Sequence, residues 1–240
     1  MLKRLLPLLL LVFPLPALAA QHCMDPSHLG PDHYMQPSQI DLVSVLGPPP
    51  APGSSEGQTD LRAVLEAQRT RTPMEVAEAK ANSCFSIFAF AGVVGPDFNP
   101  AKLPFTVAFF QRVFDDGMHG VEAAKKHFNR PRPFVADKQI TTVVQQPANA
   151  SYPSGHATFA YMTAILLANM VPEKAEAIFE RAAAFTRSRV IAGVHYPSDL
   201  VAGRIAAAVV DNVLLHDGAF KADLAKSRAE VRRAAGLPSP

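Results

Sequence analysis

The sequence predicts an all-α fold: a compact single-domain helical bundle with an extended Pro-rich N-terminal arm. Three observations carry this expectation. Beyond Asp60, apolar residues recur at the three- and four-residue spacing of helices in one stretch after another. The only β-favouring run is Gln139 to Val144. Finally, 240 residues with 48% hydrophobic and 18% charged residues are too apolar for a disordered chain and not apolar enough for a multi-span membrane protein.

Taken in order, Met1 to Ala20 combines Lys3 and Arg4, an apolar stretch from Leu5 to Leu15, and the small residues of Ala17-Leu18-Ala19-Ala20. That is the pattern of a cleaved secretory signal, so residues 1–20 are expected to be removed and the remainder to be exported to the periplasm without a membrane anchor. Residues 21–59 are rich in Pro, Gly and Ser, with Gly47-Pro48-Pro49-Pro50 and Pro52-Gly53-Ser54-Ser55, and predict an extended arm laid over the body. Residues 60–240 form the helical domain. Its expected helices are Leu61–Gln68, Pro73–Phe90, Leu103–Phe114, Asp115–Asn129, Ala157–Val171, Pro172–Val190, Pro197–Leu215 and Ala219–Ala235. Phe134 to Tyr152 is left as a long irregular connection, a length at which loops are often functional. Ala157 to Val171 is apolar for only about 15 residues, short of the roughly 20 of a membrane span.

Charge excludes further classes of function. The 23 Lys and Arg exceed the 21 Asp and Glu by two, and the leader alone contains Lys3 and Arg4, so the mature chain is near neutral. No bulk electrostatic argument for nucleic acid or anionic lipid survives. Cys23 and Cys84 can form one bridge in an oxidising compartment, closing a loop that stabilises the fold by up to ~4 kcal/mol, or remain two separate thiols. His22, His28, His33, His119, His127 and His216 lack the Cys or acidic neighbours of a metal site, and no metal or other cofactor is expected.

Several charges continue apolar stripes. Phe114, Met118, Val121, Lys125 and Phe128 follow at spacings of four, three, four and three, which puts Lys125 in line with the core. Pro131 and Pro133 prevent the helix from continuing, so Arg132 must project from the turn beyond it. Arg189 extends the stripe Ile178, Ala182, Phe185 in the same way, and Asp199 opens the stripe Ala202, Ala206, Val209, Val213. Ser154 in Pro153-Ser154-Gly155-His156 is a candidate helix N-cap, and the amides beside it and Gly155 face an anion naturally. Taken singly, each has a plain structural explanation: a snorkelling lysine, a C-terminal arginine, a first-turn acid, an ordinary cap. Taken together, Lys125, Arg132 and Arg189 facing one interior with Asp199 alone leave about two positive charges without a partner, a cost that a visiting phosphoryl group would remove.

Two histidines complete the pattern. His195 lies four residues before Asp199, close enough for the carboxylate to hold one ring N–H, which suits His195 as a nucleophile; His156 is then the general acid. Lys125, Arg132, Ser154, Gly155 and Arg189 would bind the phosphate oxygens.

Lys125 with Arg132-Pro133 after six intervening residues, then Pro153-Ser154-Gly155-His156, then Ser188-Arg189 with His195 and Asp199, resembles the three-part signature of the type 2 phosphatidic acid phosphatase superfamily. The leader, the Leu46 to Ser54 proline stretch and Ala150-Ser151-Tyr152 resemble bacterial class A nonspecific acid phosphatases within it. The resemblance spans about Asp41 to Leu237. It implies an all-helical fold, hydrolysis of a broad range of small phosphomonoesters at acidic pH, the residue roles above, and frequent dimers or larger homo-oligomers. One departure is Ala192, where members carry a cysteine, so the disulfide pattern does not transfer. The same signature occurs in vanadium-dependent haloperoxidases, which are usually much larger, and a non-catalytic exported phosphate-binding module would keep the cations without needing His195 paired to Asp199. Bromide oxidation and turnover of p-nitrophenyl phosphate separate these readings.

Overall fold

The computed structural model describes residues 22–238, so the expected leader at 1–20 lies outside the described residues. The fold is all-α. The elements are α1 (Leu42–Leu46), α2 (Ser55–Thr70), α3 (Pro73–Ala81), α4 (Ala91–Val94), α5 (Pro104–Phe128), α6 (Pro133–Ala136), α7 (Gly155–Met170), α8 (Ala175–Ile191), α9 (Pro197–Leu214) and α10 (Gly218–Ala234). Among the described residues no helix is long and apolar enough to cross a membrane.

At the centre is α7. Its sequence carries no charged residue, and a helix apolar on every side must be covered on every side. It packs mainly against α8 and α9, with α5 and α10 also in contact. Gly203 permits the closest approach: a Cβ there would lie 2.6 Å from the Ser154 carbonyl oxygen and 2.7 Å from the Ala157 Cβ. The entry of α7 and the start of α9 therefore touch backbone to backbone.

The expected break between Leu103–Phe114 and Asp115–Asn129 is absent, because α5 runs unbroken for 25 residues, roughly 37 Å. Asp115 and Asp116 do not interrupt it because both are buried with partners. The backbone N–H groups of His33 and Tyr34 donate to Asp116 at 2.7 and 2.9 Å, and the Gln111 amide donates to Asp115 at 3.0 Å. Glu230 of α10 in turn accepts from the Thr106 N–H at 2.7 Å, satisfying an unpaired amide in the first turn of α5.

Three further boundaries differ from expectation. The helix expected over Pro73–Phe90 ends at Ala81, where Asn82 caps it, and resumes only as a 3-10 turn at Ile87–Phe90. Between them the chain is drawn out by the Cys23–Cys84 disulfide, with Cα atoms 5.3 Å apart, and by a single antiparallel bridge in which Met24 donates to the Phe85 carbonyl at 2.9 Å. Within the stretch read as the arm, α1 forms under an Asp41 cap and α2 already begins at Ser55 under a Ser54 cap. The arm still lies over the body, burying Met24, Tyr34, Met35 and Leu42 in the main core. Gln139 to Val144 finds no partner strand. Instead, the Thr141 amide donates to the Gln68 side chain at 2.7 Å and Val143 to the Ala192 carbonyl at 3.3 Å.

One buried acid stands without a partner among the described residues. Asp211 in α9 is 1% exposed, and neither carboxylate oxygen meets a protein partner. Burial raises its pKa well above the ordinary value. Folded protein then holds a proton that the unfolded chain releases once the pH passes its ordinary carboxylate range near 3.8, so stability falls as pH rises from there. Asp211→Asn should flatten that slope: urea midpoints of wild type and variant converge near pH 4, and the variant is the more stable at pH 7. Identical pH dependence in both proteins would show that Asp211 is not the cause.

Candidate active site

Each basic side chain reaches the cleft for a local reason. Lys125 ends the buried stripe of α5, and its ammonium donates to the Ala150 carbonyl at 2.7 Å. Pro131 and Pro133 force the chain out of helix, and Arg132 becomes the N-cap residue of α6. Its guanidinium donates to the Asn149 carbonyl at 2.8 Å, to the Asn149 side chain at 2.7 Å and to the Val194 carbonyl at 2.7 Å. Arg189 ends the buried stripe of α8 and donates to the Ala79 carbonyl and, at 3.1 and 3.0 Å, to the Ser188 hydroxyl. Carbonyls and hydroxyls orient these cations without neutralising them. Burial consequently lowers Lys125 to about 7 and Arg132 and Arg189 to about 10.

After α8 the chain turns through Gly193, whose φ of +76° favours glycine, and reaches His195 just before α9. His195 is 2% exposed. Its Nδ1 lies 3.1 Å from Asp199 Oδ2, and an Arg132 N–H donates to its Nε2 at 3.2 Å. A carboxylate on one side and a guanidinium on the other define one tautomer: the proton sits on Nδ1, and Nε2 carries the lone pair toward the cleft. Burial, followed by the Arg132 charge, lowers the imidazole to about 3, which keeps Nε2 unprotonated in acid.

Asp199 is fully buried and meets four hydrogen-bond partners. Besides His195, it takes the Ser151 hydroxyl at 2.5 Å, the Tyr196 N–H at 2.9 Å and the Arg130 guanidinium at 2.6 Å. Burial alone would raise its pKa, but His195, Arg130 and Ser151 outweigh it and hold the carboxylate at about 2.

His156 stands on the opposite side of the cleft in the first turn of α7. Its Nε2 donates to the Ser83 carbonyl at 3.2 Å, and its ring lies 4.0 Å from that of Phe85, tilted by 31°. Burial and the Arg189 charge push its pKa well below the ordinary histidine value.

Lys125, Arg132, Gly155, His156, Arg189 and His195 thus line one cleft of about 870 Å³. The remaining two expected residues lie behind it: Asp199 supports His195, and the Ser154 hydroxyl accepts the Ala157 N–H at 3.3 Å as the N-cap. Ser154 differs from expectation in one respect. Its own N–H donates to the Asp199 carbonyl at 3.0 Å and is not free for a ligand, whereas the Gly155 and His156 amides open the helix without an intrahelical acceptor.

Sequence reasoning missed Arg130, Asp60, Ser151 and Asn149. Arg130 is a further buried cation behind the cleft, and Asp60 a buried carboxylate that receives it at 2.8 Å. Arg130 is thereby matched by Asp60 and Asp199, while Lys125, Arg132 and Arg189 border the cleft without a carboxylate in direct contact among the described residues; Glu122, which accepts from Asn149, borders the same cleft. A signal existed: two prolines hold Asn129-Arg130-Pro131-Arg132-Pro133 out of helix, and in extended backbone residues two apart share a side.

A family model described as the PAP2 superfamily matches residues 102–221, which hold every one of the eight expected site residues. The chain belongs to the PAP2 superfamily. Within the superfamily it groups with the non-specific acid phosphatases. It is 31% identical to the non-specific acid phosphatase of Salmonella typhimurium, over 92% of this chain and 91% of that one. It is 30% identical to an acid phosphatase of Zymomonas mobilis, over 81% and 76% of the two chains. A solved structure of a bacterial vanadium-dependent iodoperoxidase shares the PAP2 fold with a TM-score of 0.57 at 18% identity, over 71% of this chain and about half, 52%, of that one. Residues 22–101 precede the family match and include Ser83 and Phe85, which touch His156.

Proposed function

We propose that this chain is an exported acid phosphatase that hydrolyses small phosphate monoesters through a covalent phosphohistidine at His195. The observation that carries the reading is the buried His195, with Nδ1 committed to Asp199 and Nε2 turned into a cleft of unneutralised cations. The Nε2 lone pair attacks phosphorus, and the bond from phosphorus to the ester oxygen breaks. His156 protonates that oxygen, and the alcohol leaves. Neutral His156 then takes a proton from water, whose oxygen attacks phosphorus; the N–P bond breaks and inorganic phosphate is released. Lys125, Arg132 and Arg189 hold the nonbridging oxygens, where positioning and charge supply most of the acceleration.

The ammonium of Lys125 is fully charged only on the acid side of about pH 7, and the His156 imidazolium is favoured in the same direction, which supports operation in acid. A phosphoryl dianion settling among the cations would offset the Arg189 repulsion, which adds to burial in lowering His156.

The decisive assay is turnover of p-nitrophenyl phosphate at acidic pH in EDTA. Full activity is expected, with inhibition by vanadate and inorganic phosphate; a strict divalent requirement would overturn the mechanism. His156→Ala should lower kcat on an alkyl ester such as glycerol 2-phosphate by about 10²- to 10⁴-fold, the range of a lost general acid, and lower it much less on p-nitrophenyl phosphate, whose leaving group needs little protonation. Equal losses on the two esters would remove His156 from the acid role.

A further inference from the structure

The side of the cleft around His156 is built by a segment outside the family match. From the end of α3 to Phe85, two backbone carbonyls and one hydroxyl supply contacts that set this half of the site. The Ala79 carbonyl and the Ser83 hydroxyl, the latter at 3.5 Å, accept from Arg189. The Ser83 carbonyl accepts from His156 Nε2. The ring of Phe85 lies against the His156 imidazole and is itself held edge-on by Phe114 and Phe159. Ser83 and Phe85 flank Cys84, the residue bonded to Cys23. Across that bond the chain continues as Met24, Asp25 and Pro26, which border the same cleft.

A carbonyl on Nε2 has a chemical consequence. It commits the Nε2 proton, so the second nitrogen, Nδ1, is the one that exchanges a proton with substrate. If Ser83 moves, the ring can rotate and the proton is no longer aimed. Nothing in α7 itself supplies a second hydrogen bond to this imidazole, so the segment Ala79–Phe85 is what fixes it.

We propose that the Cys23–Cys84 disulfide is a positioning element for leaving-group protonation: it pins Ala79–Phe85 so that Ser83 and Phe85 fix His156, and it holds Cys23–Pro26 as a wall of the leaving-group side. The proposal rests on the phosphohistidine reading with His156 as the acid. It assigns the bond a role in one half-reaction, where the simpler role of a cross-link closing a 61-residue separation would act on stability alone.

The test compares kcat on glycerol 2-phosphate and on p-nitrophenyl phosphate for wild type, the double variant Cys23→Ser/Cys84→Ser, and Phe85→Leu, which keeps the disulfide but removes the ring from His156. The ratio of alkyl to aryl turnover should fall about tenfold or more in both variants, within the range a displaced general acid can lose. Acid-stable folding is checked by thermal melts, and phosphoryl labelling of His195 during aryl ester turnover should persist in both. An unchanged ratio in folded variants, with only the melting temperature lowered, would overturn the proposal. If the double variant fails to fold, Phe85→Leu and the native protein reduced by dithiothreitol decide by the same ratio. Absence of His195 labelling in wild type would instead sink the underlying mechanism, whatever the variants do.

Discussion

His195→Ala should abolish turnover of every phosphomonoester, aryl and alkyl alike, with kcat falling by on the order of 10⁵-fold, the scale on which removing a nucleophile from a cooperating set is felt. The loss is expected to be uniform because both esters need the same acceptor for the phosphoryl group as the P–O bond breaks. The fold should survive. Asp199 keeps the Arg130 guanidinium, the Ser151 hydroxyl and the Tyr196 amide when the imidazole is removed, so no carboxylate oxygen is orphaned. Binding should survive as well, since Lys125, Arg132 and Arg189 remain. The measurement is therefore threefold: turnover, thermal midpoint, and inhibition constant for inorganic phosphate. A variant that retains a few per cent of activity with normal folding would place the nucleophile elsewhere.

Arg130→Ala should have the largest effect on stability. The guanidinium lies between two buried carboxylates, 2.6 Å from Asp199 and 2.8 Å from Asp60, and stacks 4.0 Å from the centre of the Tyr196 ring. Ser198 adds a backbone N–H to Asp60 at 3.1 Å and a hydroxyl bond to the same group. Removing the shared cation leaves two anions in the interior, a change that typically costs about 3–5 kcal/mol. Urea denaturation at neutral pH reads it directly. Adding Asp60→Asn to Arg130→Ala should recover part of the loss, because one of the stranded charges is then gone. The acid side offers a second check. Asp199 is held at about 2 in the folded protein against an ordinary 3.8, so its contribution is complete above about pH 4 and is lost as the pH falls through about 2. A stability loss under 1 kcal/mol for Arg130→Ala would mean that these charges are not buried together.

The basic residues that line the cleft were legible because helical spacing exposes a charge on an apolar stripe. Lys125 and Arg189 each end a run of buried residues, and His195 with Asp199 carries its own four-residue spacing. What supports them was not legible. Arg130 and Asp60 are 70 positions apart, Ser151 and Asp199 are 48 apart, and Ser83 acts through its backbone, which no side-chain pattern can announce. Helix boundaries failed for a similar reason. Asp115-Asp116-Gly117 looks like a break until the arm arrives to satisfy Asp116. The end of α3 looks continuous until Cys23 draws Cys84 away. Local periodicity records which face is inside; it does not record which distant segment completes that face.

The backbone contact at Gly203 divides the protein into parts with different freedom to change. Because α9 rests directly on the entry to α7, His156 and the carboxylate behind His195 are joined through one tight backbone contact, and a larger side chain at position 203 would pry them apart. The rims of the cleft are held unequally: Cys23–Pro26 is tied down by the Cys23–Cys84 bond and the Met24–Phe85 bridge, and Asn149 by Arg132, whereas Gln145–Ala148 is mostly exposed loop. Substitutions in Gln145–Ala148 can therefore reshape the mouth of the cleft while the contact between α7 and α9 behind it stays intact.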